Sequence, residues 1–219
     1  MQAQSRAEYC SGGPEVSPYA PPVVAPRIPE KLVTDRLLLR RWTPADLDAL
    51  SELFALPEVW EFPFGRGLSR SETEEWLDRF LGGWERDGYD MYALELRETG
   101  ELIGFTGLRL ANWFTEIAGE VEIGWRLHPG CWGKGYATEA AAASLEVGFA
   151  ELGAERVVAV VEPANAPSLR LAERLGMHVV REAVEPRLDK LLKIWVIERG
   201  QLREVTGSKR GAPGSELAD

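Results

Sequence analysis

The sequence has little cysteine, no long apolar run and a shortage of positive charge, and each lack excludes something. Only Cys10 and Cys131 occur in 219 residues, far apart and with no metal-ligand spacing around them. That excludes a disulfide framework or a cysteine-based zinc site; no metal is expected, and a reducing, cytoplasmic setting suits the chain. No apolar stretch approaches the roughly 20 residues that span a bilayer, so no membrane partner is expected. The first residues lack the basic-then-apolar order of a secretory signal, so export is not expected. Twenty-five Lys and Arg against 35 Asp and Glu leave a formal charge of −10. Phosphate backbones need a net basic face, so nucleic acid is not an expected partner. A cationic or amine-bearing partner is compatible with this charge.

What is present is an ordinary globular composition, 45% hydrophobic and 27% charged. Residues 1–29 are rich in Pro, Ser, Gly and Ala, with P-Y-A-P-P at Pro18 to Pro22, and read as a disordered arm. Residues 201–219 read as a second disordered tail. One domain is expected over 30–200, with no internal repeat.

Within it, Leu37 to Trp42 reads as a strand. Thr43-Pro44 opens a helix with Thr as cap and Pro at its first position, carrying Leu47, Leu50, Leu53 and Phe54 on one face. A loop with Trp60, Phe62 and Phe64 follows, and Ser69 or Ser71 caps a second helix to about Trp84. Tyr92 to Leu96 and Leu102 to Leu108 form a hairpin across Thr99-Gly100. Val121, Ile123, Trp125 and Leu127 alternate as in a half-buried strand, and from Gly135 the apolar positions recur at three and four residues, as in a helix. Arg156 to Val161 is a strand apolar on both faces. A short helix lies between Asn165 and Gly176, and His178 to Arg181 and Leu192 to Ile197 are the last strands. This order predicts an α/β fold: a mixed sheet of about seven strands with helices on its faces.

Between the fourth strand and the long helix stand Gly133, Lys134 and Gly135. Backbone N–H groups left bare by glycine at a helix N-terminus suit a phosphate-bearing ligand. A Walker-type loop is excluded, because Lys134 is followed by Gly135 and no Gly stands five residues before Gly133. A dinucleotide fingerprint fits poorly, because Thr138 stands where its third Gly belongs.

The stretch W-G-K-G-Y-A-T-E-A at Trp132 to Ala140 resembles the pyrophosphate-binding loop of the GNAT superfamily of acetyl-CoA-dependent N-acetyltransferases, with closest likeness to its RimJ/RimL-like branch. Thr34 to Arg40, Gly104 to Leu108, Glu122 to Trp125 and Asn165 to Met177 resemble further family segments in the same order. The resemblance implies a mostly antiparallel sheet splayed between its fourth and fifth strands, with acetyl-CoA as acyl donor. It places the pantetheine arm on backbone groups of Trp125, Arg126 and Leu127. The pyrophosphate would lie on the loop Trp132, Gly133, Lys134, Gly135, Tyr136, Ala137 and Thr138.

The reaction implied is direct attack of a neutral amine on the thioester. Many members protonate the leaving sulfur with a Tyr seven residues after the Asn, and here that position is Ala172. The branch's alternative is a Ser three residues after it, which is Ser168, a residue that also suits helix capping. Asn165 is expected on the pantetheine or in a local turn. Glu122 is the expected general base or else a structural carboxylate, with Glu116 and Glu120 as further candidates. Cys131 lacks the partners of an acyl-enzyme nucleophile. Trp60, Phe62, Phe64 and Trp113 are expected to wall the acceptor, or to serve as core anchors. The acceptor would be a peptide N-terminal amine or a small-molecule amine. A larger donor such as succinyl-CoA, a CoA-sensing domain without transfer, and a homodimer are also compatible.

Overall fold

The computed structural model describes residues 27–202, which form one eight-stranded sheet with helices packed against it. The strands are β1 (Lys31–Val33), β2 (Leu37–Arg40), β3 (Met91–Leu96), β4 (Leu102–Leu110), β5 (Val121–Leu127), β6 (Arg156–Val161), β7 (His178–Glu185) and β8 (Lys190–Glu198). Their order across the sheet is β1-β2-β3-β4-β5-β6-β8-β7. All neighbours are antiparallel except β5 and β6. The helices are α1 (Leu47–Phe54), α2 (Glu61–Phe64), α3 (Arg70–Asp87), α4 (Tyr136–Ala150) and α5 (Ala166–Arg174).

Local chemistry sets most boundaries as expected. Ser69 accepts the Glu72 N–H and Glu72 reaches back to the Ser69 N–H, a capping box that starts α3. Thr43 and Asp46 form the same box, but around a 3₁₀ turn that precedes α1. Other elements differ from expectation, among them α2, a single turn inside the expected loop of Trp60, Phe62 and Phe64. β1 is only three residues long, too short to leave a periodic pattern. β7 runs on to Glu185, because this edge strand is mostly solvent-facing and its polar residues cost nothing in pairing with β8. The sheet therefore has eight strands rather than about seven.

The expected arm and tail lie outside the described residues, apart from their inner ends. Ile28 is buried, and the Pro29 carbonyl accepts the Tyr92 hydroxyl at 2.6 Å. Core packing thus begins two residues before the expected domain start at 30.

Alternation along β5 divides two faces. Ile123 and Leu127 are buried with Leu145 and Phe149 of α4, and Trp125 packs against the same cluster. Gly124 and Arg126 look the other way, toward the aromatic cluster of Trp60, Phe80 and Phe105 under α1 and α3. β6 is apolar on both faces as expected: Val157 and Ala159 lie with α4, while Val158 packs with Phe114 and Ile194 on the opposite side.

The parallel pair is where the sheet opens. β5 and β6 are in register at Glu122 and Val158, the one registered pair between them. Beyond it they part, and the sheet opens toward the C-terminal ends of both strands.

Candidate active site

The glycine turn after β5 is built to present bare backbone. Gly133 and Gly135 adopt φ of 73° and 83°, and Gly135 caps α4 in the left-handed conformation. Among the described residues, no backbone or side-chain acceptor takes the N–H groups from Gly133 to Thr138; the first helical bond runs from Glu139 to Gly135. These donors, at the positive end of the α4 dipole, form a seat for an anion. The Lys134 side chain is exposed.

The turn is braced from a part of the chain that the sequence left without a role. Arg36 donates to the Lys134 carbonyl at 2.8 Å and to the Glu139 carboxylate at 2.7 Å, and its guanidinium lies 4.6 Å from the centre of the Tyr136 ring. Glu139 also accepts from the Thr34 hydroxyl at 2.6 Å and the Arg36 N–H at 2.9 Å. Burial works against the Glu139 charge, but the Thr34 and Arg36 donors outweigh it and hold the carboxyl below its ordinary range. Its charge is thereby compensated by Arg36 rather than turned on an incoming anion.

From this seat the gap between β5 and β6 leads through the sheet. The His128 N–H donates to the Ile103 carbonyl, and a Cβ on Gly104 would fall 2.2 Å from the Arg126 carbonyl oxygen. Arg126 therefore turns its backbone groups to β4, and alternation turns those of Trp125 and Leu127 into the gap. The Leu127 carbonyl already accepts the Trp132 indole N–H at 2.8 Å. Among the described residues, that leaves both backbone groups of Trp125 and the Leu127 N–H available there.

On the opposite wall Asn165 caps α5, its side-chain oxygen accepting the Ser168 N–H at 3.2 Å. Ser168 is not the cap: its hydroxyl oxygen accepts the Trp125 indole N–H at 3.1 Å, and among the described residues its own proton has no partner. The cavity that joins these groups measures about 2020 Å³ and is lined by Gly133, Gly135 and Thr138 at one end and Trp60, Phe64 and Trp113 at the other. A single-ligand pocket is roughly 300–1,000 Å³, so there is room for two molecules meeting at the gap.

Residues 36–178 match the acetyltransferase (GNAT) domain family. The chain belongs to the GNAT acetyltransferase family. The uncharacterized N-acetyltransferase p20 of Bacillus licheniformis is 31% identical over 68% of this chain and 83% of its own length. A GNAT-family acetyltransferase of Bordetella pertussis superposes with a TM-score of 0.66 at 27% identity, over 77% of this chain and 99% of that one. An acetyltransferase structure from Salmonella typhimurium with acetyl-CoA as its cofactor shares the fold, with a TM-score of 0.59 at 20% identity over 82% and 98% of the two chains.

The GNAT domain's second face carries buried and half-buried charges. Glu122 is buried and held: one carboxylate oxygen accepts from Arg109 at 2.8 Å and from the Trp113 indole at 2.7 Å. Burial disfavours the Arg109 charge, yet the Glu122 carboxylate more than offsets this and raises its pKa. Glu116 and Glu120 are removed from the cavity; they pair with Arg181 at 2.6 Å and Arg156 at 3.0 Å on the outside of the sheet. Trp60 is a core anchor, stacked on Phe64 and tilted against Trp76, whereas Phe64 is 42% exposed at the cavity mouth. Cys131 is buried, and burial pushes its thiol up, as suits an inert residue.

Sequence reasoning passed over Asp90, at the foot of β3. It lines the cavity, and its carboxylate accepts the Met91 N–H at 2.7 Å. Its other oxygen lies against α3 at Gly83, where a Cβ would fall 1.7 Å away, so only glycine fits there. Burial pushes this carboxyl up to about 7, against the pull of the Met91 N–H, Arg109 and Arg86. The folded chain therefore keeps a proton that an unfolded aspartate gives up near 3.8. Between those values the native state binds more protons, so stability falls as pH rises from about 4 to about 7. Urea unfolding at pH 5 and 7.5 should show wild type losing about 2 kcal/mol more than Asp90→Asn over that interval. Parallel profiles for the two proteins would show that Asp90 ionises normally.

Proposed function

We propose that the protein transfers an acetyl group from acetyl-CoA to a primary amine, by direct attack within a ternary complex. The observation that carries this is the open β5–β6 gap, with a bare N–H seat at one end and an aromatic, charged cavity at the other. The seat suits the pyrophosphate of the donor. The free Trp125 backbone groups and the Leu127 N–H suit its pantetheine amides, which brings the thioester level with Trp125 and Ser168.

There the amine lone pair forms a bond to the acetyl carbon while the carbon–sulfur bond breaks. The sulfur keeps that electron pair and takes the Ser168 hydroxyl proton. The proton lost by the amine nitrogen returns through water to the serine, so an amide and a free thiol leave. The Trp125 indole fixes the Ser168 oxygen and leaves its proton directed away from that bond. Glu122 acts by holding Arg109 and Trp113 in place rather than as a free base. The RimJ/RimL-like character of Trp132 to Ala140 favours this chemistry without choosing the amine. Low cysteine content favours a cytoplasmic setting.

The test follows thiol release from acetyl-CoA over a panel of amines and peptides. Steady release with at least one acceptor is expected. Ser168→Ala should lower kcat by about 100-fold while the KM for acetyl-CoA stays within about twofold. Tight CoA binding with no turnover on any acceptor would overturn the transferase reading.

A further inference from the structure

Two charged groups on this face, Arg126 and Glu162, keep hydrogen-bonding capacity that nothing among the described residues fills. Arg126 projects from β5 with its guanidinium 3.9 Å from the centre of the Trp60 ring and one nitrogen donating to the Val59 carbonyl at 2.6 Å. Among the described residues no carboxylate pairs with it, and no acceptor takes its remaining N–H groups. Burial lowers its pKa to about 9, with Arg109 adding to the effect and Glu162 opposing it. Cations withdrawn from water are ordinarily paired, and this half-buried one lines a cavity with its orientation already set by Trp60 and Val59.

Glu162 follows β6 directly. One of its oxygens accepts from Lys190 at 3.1 Å; the other is buried in the cavity wall and has no partner among the described residues. The register locates the two groups relative to each other. Glu122 stands beside Val158, so four residues further along each strand Arg126 stands level with Glu162, across the open gap. Parity puts them on one face. Arg126 shares its face of β5 with Glu122, and Glu162 shares its face of β6 with Val158 and Val160, which pack beside Trp113, the partner of Glu122. The Asn165 N–H donates to the Glu162 carbonyl at 2.9 Å, which ties Glu162 to the turn that carries Ser168. Two neighbouring cations are already committed: Arg109 to Glu122, and Lys190, which lies outside the cavity lining, to Glu162 itself.

We propose that the acceptor is a small amine that also bears a carboxylate, such as a free amino acid, with its carboxylate on Arg126 and its amine toward Glu162. This rests on the transferase reading and narrows its acceptor. A guanidinium over an indole offers a planar pair of donors that a carboxylate accepts. The unpartnered Glu162 oxygen would accept an amine N–H at the edge of the gap, where the thioester is attacked. The aromatic wall of Trp60, Phe64 and Trp113 takes an apolar body. An ordinary protein N-terminus has an amide where this site asks for an anion, and the cation left unpaired would count against it.

The test compares amino acids with their own amides, for instance methionine with methioninamide, by thiol release in wild type and Arg126→Met. Wild type should prefer the acid by about tenfold or more in kcat/KM, and Arg126→Met should bring that ratio close to one. Equal or better use of the amide by wild type would overturn the proposal while leaving the transferase reading intact. So would an equal loss on both substrates in the variant. Calorimetry of both ligands against the wild-type CoA complex gives a readout free of turnover and of any folding defect in the variant. Acid binding well above amide binding supports the proposal, and equal or absent binding overturns it.

Discussion

Gly135→Asp is expected to weaken acetyl-CoA binding by about 100-fold, close to 2.7 kcal/mol, in a protein that still folds. The backbone at this position has a φ of 83°, which Asp tolerates better than most residues at a cost of about 1 kcal/mol. A Cβ there would fall 3.3 Å from an Arg36 guanidinium nitrogen, so the new carboxylate would be drawn to Arg36 and held at the mouth of the turn. It would then occupy, with its own charge, the place where the free N–H groups of Gly133 to Thr138 wait for an anion. Calorimetry with CoA and a thermal melt give the two numbers needed. Unchanged affinity would remove the seat from the donor site; a large fall in Tm would mean that the turn had collapsed instead.

The second large effect concerns stability. Glu122→Gln keeps the shape but removes the charge that Arg109 and the Trp113 indole converge on. Breaking a buried pair by deleting one partner costs about 3 kcal/mol or more, because the other charge stays behind. For a chain of this size a loss of that order lowers Tm by roughly 6–12 °C. Activity measured well below the new Tm should fall far less than in Ser168→Ala. An intact Tm with abolished turnover would restore Glu122 as the base and reverse the role given to it here.

How much could be read in advance depended on how local the cause was. Gly133 and Gly135, the Ser69 capping box, the alternation of β5 and the Asn165 turn are settled by residues a few positions apart, and all stood in the sequence. The Arg36 brace was invisible because its partner Glu139 lies 103 residues away. β1 was missed because three residues carry no period. β7 was cut short because an edge strand need not look hydrophobic.

The candidate site divides in the same way. Ser168 was named with helix capping as its rival, and one hydrogen bond from the Ser168 N–H to the Asn165 side-chain oxygen decides that the cap lies elsewhere. Glu122 was named without its partners, and a carboxylate's role follows from what it faces. Asp90 was not named at all, since nothing near it in sequence reveals that Gly83 and the sheet would bury it.

By itself, then, the sequence determined the family, the glycine turn and the strand that leads into it, because an anion seat at a helix start is made by consecutive residues. The tertiary structure alone decided which charges on the acceptor face remain free. Arg109 is neutralised from a neighbouring strand and Arg126 is not, and Glu162 stands level with Arg126 only through the single register between β5 and β6. Pairing across strands is long-range in the chain, so it is the fold that brings a cation and a carboxylate to the two sides of one gap.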